Sequence, residues 1–162
     1  MKIAKMEGAK MEHIEKITVI QNLWIVFLSI VIGIIDIKTY RIPDILLLVL
    51  LLGLVILDFV KGYNFVLGGL LSGIVVFLIF FAVYYFVRSM GFGDVKYAAV
   101  LSYGLGFKGV YVAIIIAAVS CLFLFFIGCV FLKWSRKTKL PFAPFLSAGA
   151  VLSIIINGAF EK

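Results

Sequence analysis

Six apolar runs follow one another along this chain, at about 19–35, 45–60, 65–87, 95–106, 109–132 and 145–156, with only short polar breaks between them. A membrane-crossing helix needs about 20 consecutive apolar residues, so six spans take up about 120 positions. The chain has 162 residues. What remains makes short loops and tails, so any chemistry must sit in the membrane or at its edge. The overall make-up agrees, with 65% apolar and 14% charged residues, against about 45–50% and 25% in soluble domains. A disordered chain, a disulfide scaffold and an ordinary soluble domain are excluded. The reading is an all-α, polytopic integral membrane protein with about six transmembrane helices. It has an N-terminal tail at 1–18, for which the membrane interface is one place, and a single membrane-embedded domain at 19–160.

The net charge of +7 reads as the Lys/Arg excess of cytoplasmic loops rather than as a nucleic-acid surface. With six spans, the loops around 36–44, 88–96 and 133–139 share one face. They carry Lys38, Arg41, Arg88, Lys96, Lys133, Arg136, Lys137 and Lys139, against Lys61, Lys108 and Lys162 opposite. The first set is therefore expected in the cytoplasm, with both termini outside. The tail conflicts with this through Lys2, Lys5, Lys10 and Lys16, offset by Glu7, Glu12 and Glu15. It does not read as a secretory signal peptide, because no small-residue cleavage site follows its apolar stretch. Cys121 and Cys129 are eight residues apart in one apolar run. That is about 12 Å along a helix, too far for a disulfide. The lone histidine, His13, lies in the tail, which argues against His-dependent zinc or nucleophilic chemistry. Gly69 and Gly73 form a GxxxG spacing that reads as helix packing.

Ionisable groups near a membrane are functional suspects. Of four aspartates, Asp58 reads as an exposed, hydrated helix end beside KGYN, and Asp44 as a helix N-cap after Pro43. Asp36 and Asp94 differ. Asp36 sits where the first span leaves the membrane, and two complete spans later Asp94 opens the fourth on the same face. Topology alone puts both carboxylates at a similar depth. Gly91 and Gly93 precede Asp94 and permit positive φ and close backbone approach. From spacing alone, capping and loop solvation account for the pair as well as catalysis does.

Three elements carry a resemblance. The first is Asp36, six residues and Pro43-Asp44. The second is Gly91-Phe92-Gly93-Asp94-Val95-Lys96, and the third is LPFAPFLSAGA at 140–150. In this order they resemble the type IV prepilin peptidases, the family that includes the archaeal preflagellin peptidases, over about 23–157. The resemblance implies a membrane aspartic endopeptidase that cuts a short basic leader from prepilin-like substrates at the cytoplasmic membrane edge. Asp36 and Asp94 are then the catalytic pair. Gly91 and Gly93 shape the loop, while Lys96, Pro43 and Asp44 are candidate substrate-binding or loop-shaping positions. Lys96 also reads as a lysine reaching for the interface. No metal or organic cofactor is expected. The chain has no CxxC pairs, so it resembles a short form without the zinc module, and N-methyltransferase activity is not expected.

The implied partners are precursor proteins with a basic leader and an apolar helix, and the bilayer itself. A basic leader is not drawn to a cytoplasmic face rich in Lys and Arg. Recognition is expected to rest on Asp44 and on the substrate's apolar helix packing between spans. The alternative is a small transporter or channel with a cation-binding aspartate pair. An inactive pilin-binding scaffold also remains open. A rhomboid-like protease lacks its histidine here, and a presenilin-like one typically has Tyr before its first aspartate, where this chain has Ile35.

Overall fold

Apolar runs in lipid must satisfy their backbone groups internally, and helix is the conformation that does so within one segment. The computed structural model describes residues 2–87, 90–131 and 141–160, and within them the chain forms five helices. These are α1 (Lys2–Thr39), α2 (Asp44–Lys61), α3 (Tyr63–Val87), α4 (Phe92–Phe131) and α5 (Ala143–Phe160). Arg88, the basic stretch 133–139, Leu140 and Lys162 lie outside the described residues.

The expected count of about six spans is corrected. Three described helices are long and apolar enough to cross a membrane: α1 over Glu7–Thr39, α3 over Tyr63–Phe86, and α4. α2 carries Asp44, Asp58 and Lys61 within 18 residues, and the apolar part of α5, Ala143–Asn157, is short. α1 runs unbroken from the polar tail into its apolar part.

The expected fourth and fifth spans are the two arms of α4, which meet at the non-helical Gly106. The 40 residues of α4 would reach about 60 Å as a straight helix, twice the roughly 30 Å hydrocarbon thickness. The chain doubles back instead. Along α5, Ser147 meets the Tyr97 hydroxyl at 2.8 Å, Gly149 abuts Ala113, and Ser153 donates to the Gly109 carbonyl at 2.6 Å. Moving down α5 therefore meets α4 at 97, 113 and 109, so α4 descends beside α5 and climbs back. Gly106 turns the chain with φ 66° and ψ 178°, a combination essentially restricted to glycine. The two arms therefore join without loop residues. A Cβ at 106 would meet nothing within 4 Å, so Gly106→Ala isolates the backbone term. It is expected to cost about 1–3 kcal/mol, read as a lower unfolding midpoint in detergent.

Small and hydroxylated side chains let the helices approach. Gly69 and Gly73 face Tyr103 and the Ala99 carbonyl across the α3–α4 contact, and Gly104 faces Ile25 and Leu54. The buried Ser72 hydroxyl donates to the Ser102 carbonyl at 2.7 Å, an interhelical bond of the kind that holds membrane bundles. Around these contacts, Ile25, Ile32, Leu50, Leu54, Leu101 and Leu146 form the core. Phe27, Ile45, Leu78 and Phe126 point outward, as expected of a surface facing lipid.

At the end of the bundle away from Asp36, the reading of Asp58 as hydrated is corrected. Asp58 and Lys61 are each only 5% exposed at the side chain, with 3.4 Å between Lys61 Nζ and Asp58 Oδ1. Lys61 also donates to Gln21 of α1, whose amide lies 3.5 Å from the Gly104 carbonyl. The tight turn at Gly62, where the Gly62 N–H donates to the Asp58 carbonyl at 2.9 Å, folds the helix end inward. The pair is thereby drawn between α1, α2 and α4.

Candidate active site

The corner between α1 and α2 forms because Tyr40 takes a left-handed conformation, φ 53°, which ends α1. Its N–H still closes a turn on the Asp36 carbonyl at 2.8 Å. Pro43 follows in an extended conformation and biases Ile42 away from helix. The Thr39 hydroxyl lies 2.9 Å from the Ile35 carbonyl and 3.0 Å from that of Arg41, bracing the corner. Asp36 is left one turn inside the end of α1, buried at 5% exposure. Its carboxylate faces the backbone N–H of Ala143, the first residue of α5. A carboxylate is well placed against the unpaired amides of a helix N-terminus.

Asp94 is the third residue of α4 and half-buried. Its N–H donates to the Gly91 carbonyl at 3.1 Å, and its carboxylate faces the Gly91 backbone. The proposed use of positive φ at Gly91 and Gly93 is corrected. Among the described residues, only Gly62 and Gly106 are glycines with positive φ. Gly93 serves close approach: a Cβ there would stand 3.2 Å from the Ile42 Cβ. The start of α4 thus lies directly against the α1–α2 corner.

That contact brings the two aspartates together. Asp36 and Asp94 line one cavity of about 350 Å³, with Tyr40, Arg41 and Ile42 from the corner and Gly91, Phe92 and Gly93 from the start of α4. Asp44 and Lys96 complete it. Every candidate site residue named from the sequence except Pro43 lines this space, and Pro43 shapes the corner beside it. Tyr40, Arg41 and Phe92 were not singled out from the sequence. Nor was Ala143, although the late proline-containing segment that carries it was.

Asp44 is not the N-cap of α2. Pro43 holds that position without a side-chain bond, and Asp44 is the first helical residue. Its carboxylate is bonded through both oxygens to Lys96 Nζ, at 2.8 and 2.9 Å. Lys96 therefore does more than reach for the interface: it ties the Pro-Asp corner to the GxGD helix and lies 5.1 Å over the Phe92 ring. Phe92 in turn packs against Phe81 and Tyr84 of α3. The pair is solvent-accessible, with side-chain exposures of 36% and 70%. Lys96→Met is therefore expected to change stability by less than about 1 kcal/mol, seen as a nearly unchanged melting midpoint. Among the described residues, no three His, Cys, Asp or Glu side chains stand together as a metal would require.

Comparison with known proteins bears on this cavity. Residues 23–127 match the model of the type IV leader peptidase family. A prepilin leader peptidase/N-methyltransferase of Pectobacterium carotovorum subsp. carotovorum is 33% identical over 135 residues, covering 80% of this chain and 48% of the relative. The chain thus spans about half the length of that curated relative. No solved structure matches it. The matched stretch contains both the Asp36–Asp44 corner and the Gly91–Lys96 helix start, and on that match the chain belongs to the type IV leader peptidase family.

Proposed function

We propose that this chain is a membrane aspartic endopeptidase that removes the leader from prepilin-like or preflagellin-like precursors, with Asp36 and Asp94 as its catalytic pair. The observation that carries the reading is the shared cavity: two carboxylates from distant parts of the chain line one polar space at the end of the bundle. Each also faces a backbone amide. Peptide hydrolysis needs a base to take a proton from water and an acid to protonate the leaving nitrogen. Two adjacent carboxylates supply both when they share one proton, because like charges resist ionising together. One aspartate, ionised, activates the water. The other, protonated, polarises the scissile carbonyl and then delivers its proton. The pair titrates as a unit.

The proposed placement is a multi-pass protein of the cytoplasmic membrane with the cavity toward the cytoplasm and both termini opposite. In support, α1 ends and α5 begins at the cavity, so their free ends point away from it. Lys38, Arg41 and Lys96 lie at the cavity end, as cytoplasmic basic residues should. The tail 1–18 and the domain 19–160 then act as one peptidase unit.

The test is cleavage in liposomes of a precursor whose Lys/Arg-rich leader ends in glycine, read by mass spectrometry of the products. Cleavage at that glycine is the expected result. Folded protein that cuts none of several such precursors, but passes cations, would replace this reading with a transporter.

A further inference from the structure

Two cavities meet at Asp44 and Lys96. One is the polar space that holds Asp36 and Asp94. The other, about 500 Å³, opens sideways between α2, α3 and α4. Apart from the shared ion pair at its mouth, its walls are apolar: Ile45, Leu48 and Leu51 of α2, Phe77 of α3, and Ala99 and Val100 of α4. Positions 45, 48 and 51 follow one face of α2, and 96, 99 and 100 one face of α4. The small Ala99 side chain leaves room at the floor. Ile45 is 75% and Leu48 56% exposed, so the α2 wall is open.

Resting on the leader-peptidase reading above, we propose that this lateral groove seats the first two turns of the precursor's apolar helix, directly after the scissile bond. Three observations select that occupant. The groove shares Asp44 and Lys96 with the aspartate cavity, so a chain cut at Asp36 and Asp94 and continuing into the membrane enters the groove across that ion pair. Polarity changes at the same point: the cavity is polar, the groove apolar, and the substrate class changes from charged leader to apolar helix at its cleavage site. The length also fits, since the wall from Ile45 to Leu51 rises about 9 Å, close to two helical turns. Asp44 then stands where the leader and the helix join, with Lys96 as its resting partner.

The test reads contact and cleavage separately. Cysteine is introduced at Leu48, at Val100, or at Ile30, an exposed α1 position away from the groove, after Cys121 and Cys129 are replaced by serine. Each protein is oxidised in liposomes with a precursor carrying one cysteine in the first two turns of its apolar helix. Cross-links at 48 and 100 at least about tenfold above those at Ile30 are expected. Equal cross-linking at all three positions, or none at 48 and 100, would assign the groove to lipid and overturn the proposal. In parallel, Leu48→Trp fills the groove and is expected to raise KM about tenfold with kcat little changed, the pattern of lost uniform binding. Unchanged KM in the folded variant counts against the groove. Wild type that cuts no precursor defeats the peptidase reading instead, and the cross-links still decide whether the groove holds an apolar helix.

Discussion

Asp36→Asn and Asp94→Asn are each expected to lower precursor cleavage by about 10²–10⁴-fold, the usual size of a lost acid–base group. Asn keeps the shape of Asp and an oxygen that accepts a hydrogen bond. The Ala143 N–H at position 36 and the Gly91 backbone at position 94 therefore keep a partner. What Asn loses is the exchangeable proton and the charge. The bundle should stay folded, with a melting midpoint near that of wild type, while the chemistry fails. Because the two carboxylates act as one unit, the double variant should be little worse than either single one. Time courses of precursor cleavage in liposomes measure all three. Normal cleavage by either single variant removes that aspartate from the mechanism.

Lys61→Met is expected to destabilise the protein by about 3–5 kcal/mol, because it leaves Asp58 buried without its cation. Asp58 and Lys61 are almost wholly shielded, and Lys61 also links α2 to Gln21 of α1. Tyr103 lies close by on α4. Removing one charge from such a site costs far more than removing both, since a well-packed apolar pair in the same place is often neutral or stabilising. The double variant Asp58→Leu/Lys61→Met should therefore recover much of the loss. Unfolding in detergent, compared across wild type, single and double variants, gives the coupling directly. Equal stabilities throughout would return Asp58 to a hydrated helix end.

The sequence was informative wherever spacing and polarity act locally. Runs of apolar residues dictate helices in lipid, since no other single segment satisfies its own backbone there. That gave the all-helical membrane class and the breaks near 36–44, 61–64 and 88–94. The same breaks placed Asp36 and Asp94 at one end of the bundle, because two helical segments, α2 and α3, lead out and back between them. The Asp36, Pro43-Asp44 and GxGDxK elements pointed to the family that the comparisons bear out.

Contacts between distant segments were not legible in this way. Gly106 reads locally as a weak break, yet its backbone conformation lets α4 fold back on itself without a loop. Asp58 and Lys61 look like a solvated helix end, because three-residue spacing does not reveal that α1 and α4 close over them. Asp44 has the sequence context of an N-cap, but Lys96, 52 residues away, takes its carboxylate. By itself the sequence determined the apolar solvent, the helical class and the shared end of the bundle for two aspartates, since these follow from hydropathy and period. Only the tertiary structure decided which charges are paired and buried, which glycine turns the chain, and where an open groove adjoins the aspartates. Those depend on which surfaces meet in three dimensions, and a linear pattern does not specify its own packing partners.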